Sequence, residues 1–319
     1  MMCPTDLRHV GSTGVRLSVL GVGTGSLANS GGADQFDSMI EAAWSGGLRH
    51  FDTAALYLNG ESERRLGAAM RGKLREAYAL STKAGRYANE SGSHFDYSRD
   101  GFMRSVEASL SRLQVDWLDI VMIHDLDPEH HGSGHAARMH EALDGACVAL
   151  DMLRRRGVVR GVGVGSINWL ACLELARRFP IDCVMLAGGY TLLQQQSGEL
   201  LEYCRSHEIS VMVASPFNSG ILATGAVSDA LYNYKPAGPH VLKRTRAIEA
   251  ICRRYEVHIA AAALQFPLQH PAVTSVVAGH RAPEEITVNL SPPLSDSRSL
   301  LVRDCRRNSR PSSTRLIIH

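Results

Sequence analysis

Short apolar segments alternate with longer segments of helical period along almost the whole chain. Several of the short segments are nearly continuous apolar runs, such as LDIVMI, SVMVA and VTSVVA. Runs of this kind are typical of parallel strands that are covered on both faces. The predicted strands are Leu17–Val22, Leu48–Asp52, Ala77–Thr82, Trp117–Ile123, Val158–Val164, Cys183–Leu186, Ile209–Ala214 and Val273–Ala278.

The segments between these strands carry apolar residues at the three-to-four spacing of amphipathic helices. The predicted helices are Gln35–Trp44, Ser62–Met70, Arg99–Leu113, Met139–Arg155, Trp169–Arg178, Gly198–His207 and Val241–Tyr255. Eight strands, with a helix after nearly every one, predict an α/β protein that forms a single (β/α)8 TIM barrel. An open doubly wound sheet is the alternative.

Two glycine clusters resemble a dinucleotide fingerprint without fulfilling it. In Gly21-Val-Gly23-Thr-Gly25 the third glycine comes one residue too early, and no clear helix begins there. Gly161-Val-Gly163-Val-Gly165 has the same defect in mid-chain. Close packing at the strands of a barrel is the simpler interpretation of both clusters.

Composition excludes several classes of protein. The 319 residues carry 34 basic and 32 acidic side chains, so no basic surface for nucleic acid is indicated. No apolar run is long enough for a membrane span, and the N-terminus lacks a secretory signal. The seven cysteines are scattered without metal-ligand spacing. We therefore expect a cytoplasmic protein with reduced thiols, no metal site and neither nucleic acid nor a membrane as partner. Its oligomeric state stays open.

The composition changes near the C-terminus. Residues 1–290 carry the barrel pattern, whereas residues 291–319 are rich in serine and arginine and show no sustained amphipathic period. This composition predicts a poorly ordered tail. A frameshifted or rearranged coding sequence is a further hypothesis for this tail.

Ionisable residues follow three successive predicted strands, at the end of a barrel where catalytic groups gather. Asp52 ends the second strand and Tyr57 lies in the loop after it, while Lys83 and His124 follow the third and fourth strands. Considered one at a time, each residue also has a structural interpretation. Asp52 fits a helix cap, Tyr57 and Lys83 fit a packed ring and a surface lysine, and His124 fits a structural histidine. Their convergence on one end of the barrel favours a catalytic site.

Together these four side chains form a set that moves protons. A phenol has an ordinary pKa of about 10, and a neighbouring ammonium lowers it. A buried carboxylate keeps the lysine charged and oriented, while a histidine positions the substrate oxygen. Tyr57 then donates or accepts a proton as general acid or base while a hydride moves to or from carbon.

The contexts FDTAALYLNGESE, STKAG and MIHD resemble the catalytic tetrad of the aldo-keto reductase superfamily. Asp52, Tyr57, Lys83 and His124 follow one another in the order of that tetrad. The spacing between Asp52 and Tyr57 and the positions of the residues after the strands also agree with it. The resemblance runs from about Leu17 to Asn289. It implies an enzyme, an NAD(P)-dependent oxidoreductase acting on CH-OH groups.

Further segments are similar to the bacterial and plant sugar-dehydrogenase branch of that superfamily. They include DWLDIVMIHDLD, LRRRGVVRGVGVG, VMLAGGYTLLQQ, FNSGILA and YNYKPAGP. This similarity implies oxidation of a cyclic hemiacetal, an aldose of the L-fucose, D-arabinose or L-galactose type, to a lactone. Tyr57 would act as the base and His124 would hold the sugar oxygen. Pyridoxal 4-dehydrogenase activity is an alternative, as is a regulatory or degenerate paralogue that binds cofactor without turnover.

The resemblance also assigns residues to the cofactor, NAD or NADP. Ser166 and Asn168 lie where the superfamily contacts the nicotinamide carboxamide, although GVGSINW departs from its usual serine–asparagine pair. Tyr190 belongs to the YTLL motif, and Ala187 replaces a usual glutamine. The loop expected along the pyrophosphate contains Ser215, Phe217, Asn218, Ser219, Gly220 and Leu222.

Adenosine recognition is expected after the eighth strand. The residues assigned to it by the resemblance are Gly279, Arg281, Glu285 and Asn289. Arg281 either pairs with a 2′-phosphate, whose geometry suits a guanidinium, or faces solvent. The choice between NAD and NADP therefore stays open.

Overall fold

Eight parallel strands close into a barrel in this computed structural model, which describes residues 3–25, 32–89, 92–290 and 304. Each strand pairs with the next one along the chain, and the last pairs with the first. The predicted (β/α)8 barrel is confirmed, and the alternative open sheet is wrong. The strands are β1 (Leu20–Gly23), β2 (His50–Asp52), β3 (Ala79–Ala84), β4 (Leu118–His124), β5 (Val159–Ser166), β6 (Cys183–Ala187), β7 (Ser210–Ala214) and β8 (Val273–Gly279).

The first predicted strand, Leu17–Val22, spans two different elements. Its beginning belongs to an antiparallel hairpin of Leu7–His9 with Arg16–Ser18, and the barrel strand starts at Leu20. Apolar side chains of this hairpin segment, including Leu17, pack with the apolar side chains inside the barrel. The hairpin therefore closes the amino end of the barrel. Its residues look like strand residues in the sequence because they are both extended and buried.

Helices surround the barrel, and the seven predicted helices are found to within a few residues, with Met139–Arg155 divided among three elements. Four further short helices, Pro128–His131, Ile221–Thr224, Ile259–Gln265 and Pro283–Leu290, are not among these seven. In chain order the helices are α1 (Ala33–Ser45), α2 (Glu61–Ala69), α3 (Arg99–Leu113), α4 (Pro128–His131), α5 (His135–Glu141), α6 (Cys147–Arg155), α7 (Trp169–Arg178), α8 (Gly198–Ser206), α9 (Ile221–Thr224), α10 (Pro239–Arg254), α11 (Ile259–Gln265) and α12 (Pro283–Leu290). A π-helical turn, Ala142–Ala146, joins α5 to α6. Two further antiparallel hairpins lie outside the barrel sheet, Arg86–Asn89 with Gly92–Phe95 and Leu231–Tyr232 with Lys235–Pro236.

Helix α3 shows how local sequence sets these boundaries. The Ser98 hydroxyl accepts a hydrogen bond from the Gly101 backbone N–H and caps the first turn. Phe102, Val106 and Leu113 are buried at helical spacing, so one face of α3 packs on the core. Gln114 takes a left-handed φ of 58° and ends the helix.

Each glycine cluster contains one position at which neighbouring atoms leave no room for a side chain. A Cβ on Gly21 would lie 2.6 Å from Nδ1 of His50, and a Cβ on Gly163 would lie 2.2 Å from the Cys183 carbonyl oxygen. A Cβ on Gly25 would lie 3.1 Å from Cζ of Tyr57. These contacts agree with the packing interpretation of the clusters.

The predicted tail, residues 291–319, lies outside the described residues except for Asp304. The carboxylate of Asp304 accepts a hydrogen bond from the Tyr255 hydroxyl at 3.0 Å and pairs with Arg254. The division at residue 290 and the disorder of the tail stay predictions. No helix in the described part of the chain is both long and apolar enough to cross a bilayer.

Replacing Gly163 with alanine is expected to destabilise the barrel, because its Cβ would collide with the Cys183 carbonyl oxygen on β6. We expect the free energy of unfolding in urea to fall by about 1–3 kcal/mol. Gly134→Ala is the control, since nothing lies within 4 Å of its Cβ position and its φ of −81° suits any residue. Equal stability of the two variants would contradict the packing interpretation.

Candidate active site

The four predicted catalytic residues come together at the carboxyl end of the barrel. Asp52 and His124 are the last residues of β2 and β4, and Lys83 lies near the end of β3. Tyr57 begins a short 3-10 helix, Tyr57–Gly60, in the loop after β2. A backbone hydrogen bond of 3.3 Å from the Ala55 N–H to the Lys83 carbonyl oxygen ties this loop to β3.

A buried ion pair forms the base of the site. The Lys83 ammonium donates to Asp52 Oδ2 at 2.6 Å and to the Thr53 carbonyl oxygen at 2.9 Å. The Ser81 hydroxyl donates to the second carboxylate oxygen at 2.7 Å. Burial lowers the pKa of Lys83, but the Asp52 carboxylate and the Tyr57 phenol outweigh it and leave that pKa above its ordinary value. The lysine is therefore held in its charged form.

Tyr57 lies between this lysine and His124. The Lys83 ammonium is 5.1 Å from the centre of the phenol ring, and the His124 ring stands edge-on to it at 6.0 Å. Desolvation raises the pKa of Tyr57, and Lys83 only partly offsets this effect. Lys83 lowers the pKa of Tyr57 as expected, but desolvation of the phenolate outweighs the attraction of the ammonium and leaves this pKa above its ordinary value.

His124 is neutral at neutral pH. Burial lowers its pKa to about 4, although the Asp125 carboxylate acts in the opposite direction. The Nε2 atom lies 3.4 Å from Asp125 Oδ2, and Nδ1 is buried without a hydrogen-bond partner among the described residues. A neutral imidazole beside a carboxylate carries its proton on the facing nitrogen, so we infer that Nε2 is the donor.

Two of the predicted nicotinamide contacts are already engaged with the protein. The Ser166 hydroxyl donates to Asp127 Oδ2 at 2.5 Å and accepts from the Asn168 backbone N–H at 3.0 Å. The side chain of Asn168 caps α7 through the Ala171 N–H and donates to both carboxylate oxygens of Glu129. Both residues lie at the carboxyl end of β5, so their contact with the carboxamide stays a prediction.

The predicted pyrophosphate loop is built from residues with left-handed backbone conformation. Ser215, Asn218, Ser219 and Gly220 have φ values of 53°, 46°, 63° and 103°. The Asn218 side chain accepts from the Thr191 hydroxyl, whereas Phe217 and Leu222 pack on the hydrophobic core. Tight turns of this kind present backbone N–H groups to anions. This geometry suits a phosphate, and the contact of this loop with the pyrophosphate stays a prediction.

The side chain of Tyr190, another residue that the resemblance assigns to the cofactor, packs in the hydrophobic core. Its ring is buried and packs against Phe266 at 5.1 Å and edge-on against His270 at 6.1 Å. The side chain therefore contributes to the layer between barrel and helices, and its proposed cofactor contact stays a prediction.

The residues predicted for the adenosine end lie between the end of β8 and the last turn of α12. The Arg281 backbone N–H donates to Glu285 Oε2 at 2.8 Å, and its guanidinium lies 3.6 Å from Oε1 of the same residue. The Asn289 side chain hydrogen-bonds His280 at 3.1 Å. Gly279 ends β8 beside them. The guanidinium of Arg281 is largely exposed, so it can reach a ligand at this edge.

Comparison with known proteins identifies the family of this chain. Residues 19–293 match the model of the aldo/keto reductase family. The chain is 35% identical to pyridoxal 4-dehydrogenase of Microbacterium luteolum, over 90% of this chain and 92% of that protein. It is also 35% identical to D-threo-aldose 1-dehydrogenase of a Pseudomonas species, over 87% of this chain and 90% of that protein. The holo form of an aldo-keto reductase from Bacillus halodurans superposes with a TM-score of 0.80 at 24% identity, covering 97% and 99% of the two chains.

The chain belongs to the aldo/keto reductase family. This membership and the two dehydrogenase relatives make it an NAD(P)-dependent oxidoreductase. The resemblance to the branch of aldose and pyridoxal dehydrogenases is confirmed.

The site of this aldo/keto reductase fits such a cofactor in part. The absence of a side chain at Gly25 lets the Tyr57 ring pack directly on the backbone at the mouth of the barrel. The left-handed loop after β7 offers backbone donors to phosphate. The carboxamide end fits less directly, because the polar atoms of Ser166 and Asn168 are engaged within the protein.

A charged cluster beside His124 was not identified from the sequence. The Arg86 guanidinium contacts Asp125 Oδ2 and lies 2.9 Å from His130 Nε2, while His130 Nδ1 lies 2.6 Å from Asp127 Oδ1. Asp125, Asp127 and His130 are metal-ligand types, yet Arg86 already places a positive charge among them. The signal in the sequence was the position of Asp125 directly after His124 and of Arg86 three residues after Lys83.

Replacing Lys83 with methionine is expected to leave the buried Asp52 carboxylate without its counterion. We expect the free energy of unfolding to fall by about 3–5 kcal/mol, as measured by urea denaturation. The double variant Lys83→Met/Asp52→Asn removes both charges and should recover part of this loss. Lys243→Met, on the exposed side of α10, is the control. If K83M were as stable as K243M, the ion pair would not hold the site together.

Proposed function

We propose that this chain oxidises the anomeric carbon of an aldose of the L-fucose, D-arabinose or L-galactose type to a lactone, with Tyr57 as the general acid and base. The observation that carries the proposal is the phenol of Tyr57 held between a charged Lys83 and a neutral His124. The relatives named for aldose and pyridoxal oxidation support the same substrate class.

Each residue then has a separate task. The His124 Nε2–H donates a hydrogen bond to the substrate oxygen and orients it. Tyr57, as phenolate, removes the proton of the anomeric hydroxyl, and Lys83 stabilises the negative charge on the phenolate. Asp52 keeps the ammonium charged and in place. Bound NAD(P)⁺ supplies the hydride acceptor.

The cofactor is proposed to bind over the carboxyl ends of β5–β8. The proposed contacts are Ser166, Asn168, Tyr190, Ser215, Phe217, Asn218, Ser219, Gly220, Leu222, Gly279, Arg281, Glu285 and Asn289. Arg281 is oriented by Glu285, which also suits an NAD ribose, so NAD and NADP both remain candidates. Measuring how much Arg281→Ala weakens the binding of each cofactor distinguishes NAD from NADP. A contact with the 2′-phosphate, which only NADP carries, would make the loss larger for NADP.

Oxidation of pyridoxal is the second candidate. The relative from Microbacterium luteolum carries that name, and pyridoxal also forms a cyclic hemiacetal. The tetrad serves both substrates equally well, because it acts only on the carbon that is oxidised and on its oxygen. The lining of the substrate cleft therefore decides between them.

Replacing Tyr57 with phenylalanine is expected to abolish the proton transfer while leaving the cofactor site intact. We expect kcat/KM for L-fucose, D-arabinose, L-galactose or pyridoxal to fall by about 10²–10⁴-fold. Turnover is measured by the absorbance of NAD(P)H. Tyr203→Phe, on helix α8, is the matched control. Binding of NADPH to Y57F, followed by fluorescence, should be unchanged. Turnover by Y57F at the rate of the control would exclude Tyr57 as the general base, and cofactor binding without any turnover by the wild type would favour a regulatory role.

The pH dependence of oxidation provides a separate test of the role of Lys83. Because the pKa of Tyr57 lies above its ordinary value of about 10, the fraction of phenolate and hence kcat/KM should rise throughout the range from about pH 7 to pH 10 without levelling off. Lys83 lowers this pKa, so removing the ammonium in Lys83→Ala should move the rise to higher pH. A Lys83→Arg variant, which keeps the charge, should shift the profile less. An unchanged profile in K83A would show that Lys83 does not act on Tyr57.

A further inference from the structure

Asp125 is fixed at the mouth of the barrel by one of its two carboxylate oxygens. Its Oδ2 atom pairs with Arg86, lies 3.4 Å from His124 Nε2 and lies 3.9 Å from His130 Nε2. No donor within the described residues contacts the other oxygen, Oδ1. The side chain keeps 12% of its surface exposed, so a hydroxyl group of a bound ligand can reach it.

The backbone at this position takes a left-handed conformation. Asp125 has a φ of 52°, in a region that few residues other than glycine, asparagine and aspartate adopt. Its backbone N–H donates to the Gly165 carbonyl oxygen at 2.8 Å, and its carbonyl oxygen accepts from the Tyr97 hydroxyl at 3.2 Å. Such conformations are retained where the surroundings hold them, and they gather at functional sites.

Arg86 keeps the carboxylate in place and neutralises its charge. It extends from the hairpin Arg86–Asn89 with Gly92–Phe95, which follows β3 directly. Its Nε donates to the Ser93 hydroxyl at 2.8 Å across that hairpin, so the guanidinium is oriented before any ligand arrives. A neutralised carboxylate with one accessible oxygen suits an uncharged hydroxyl donor better than a cation.

We propose that Asp125, positioned by Arg86, binds the hydroxyl group on the carbon next to the one that is oxidised and so selects polyhydroxylated cyclic hemiacetals. The proposal rests on the proposed function, because it places the oxidised carbon's oxygen on His124 Nε2. That oxygen is then close to the Asp125 carboxylate, and the neighbouring hydroxyl of a sugar ring is within reach of Oδ1. Arg86 acts only through Asp125 and is a positioning residue.

The test compares two sugars that differ by this hydroxyl alone. D-Arabinose carries a 2-hydroxyl and 2-deoxy-D-ribose is the same sugar without it. A hydrogen bond to a charged group predicts that the wild type prefers D-arabinose in kcat/KM by about 10- to 100-fold. Asp125→Asn should reduce this preference at least several-fold, mainly through a higher KM for D-arabinose. Asparagine tolerates the left-handed φ, so this variant is expected to fold.

Two further variants distinguish substrate binding from a structural effect. Arg86→Gln should raise KM for D-arabinose more than it lowers kcat, whereas Asp100→Asn, which removes an exposed charge on α3, should leave both sugars unaffected. If D125N slows the two sugars by the same factor, Asp125 acts through His124 or through folding, and the proposal is overturned. The same conclusion follows if the wild type shows no preference between them.

A failure of the proposed function can be distinguished from a failure of the role proposed for Asp125. If the wild type oxidises no hemiacetal, calorimetric binding of the two sugars to the protein with NADP⁺ decides the role of Asp125. Binding of D-arabinose that is weakened in D125N and absent for 2-deoxy-D-ribose supports the proposal. Equal or undetectable binding of both sugars overturns it.

Discussion

Burying the Lys83 ammonium determines how the carboxyl end of this barrel is arranged. A charge without water is stable only when hydrogen bonds and an opposite charge replace that water. Asp52 Oδ2 and the Thr53 carbonyl oxygen supply this replacement, and Ser81 holds the remaining carboxylate oxygen. These contacts join β2 to β3 and set the start of the loop that carries Tyr57. Removing the pair would therefore disturb both the electrostatics and the geometry of the site.

The opposite end of the barrel allows this polar arrangement. The N-terminal hairpin places Val10, Val15 and Leu17 against the apolar side chains inside the strands. Apolar side chains thus fill the amino end of the barrel, and the ligand site of such a barrel lies at the opposite, carboxyl end. Low polarity also accounts for the perturbed groups of the tetrad, since desolvation lowers the pKa of His124 and raises that of Tyr57. The same packing that stabilises the fold sets the protonation states used in the proposed chemistry.

The fold and the tetrad were predictable because each depends on local pattern. Apolar runs and helical period gave all eight barrel strands, and the ends of those strands identified Asp52, Lys83 and His124. The N-terminal hairpin was merged with β1 because extended, buried residues look alike in either element. The partnership of Arg86 with Asp125 was not predictable, since it depends on how an inserted hairpin folds back over the barrel. Sequence position indicates which strand end a residue occupies, whereas side-chain direction depends on the surrounding loops.

The hydrogen bonds of Ser166 and Asn168 were likewise not predictable from the positions of these residues in the sequence. Both stand at the strand end where the resemblance assigns the carboxamide, yet their polar atoms bind Asp127, Glu129 and the first turn of α7. These bonds connect the loops after β4 and β5, and Asp125 begins the first of these loops, directly after His124. A ligand group that engaged Ser166 would compete with Asp127, which in turn holds His130 beside Arg86 and Asp125. The proposed cofactor contacts and the proposed sugar contact are therefore linked through one chain of hydrogen bonds, so on the proposed function a change at Ser166 is expected to affect sugar binding as well as cofactor binding.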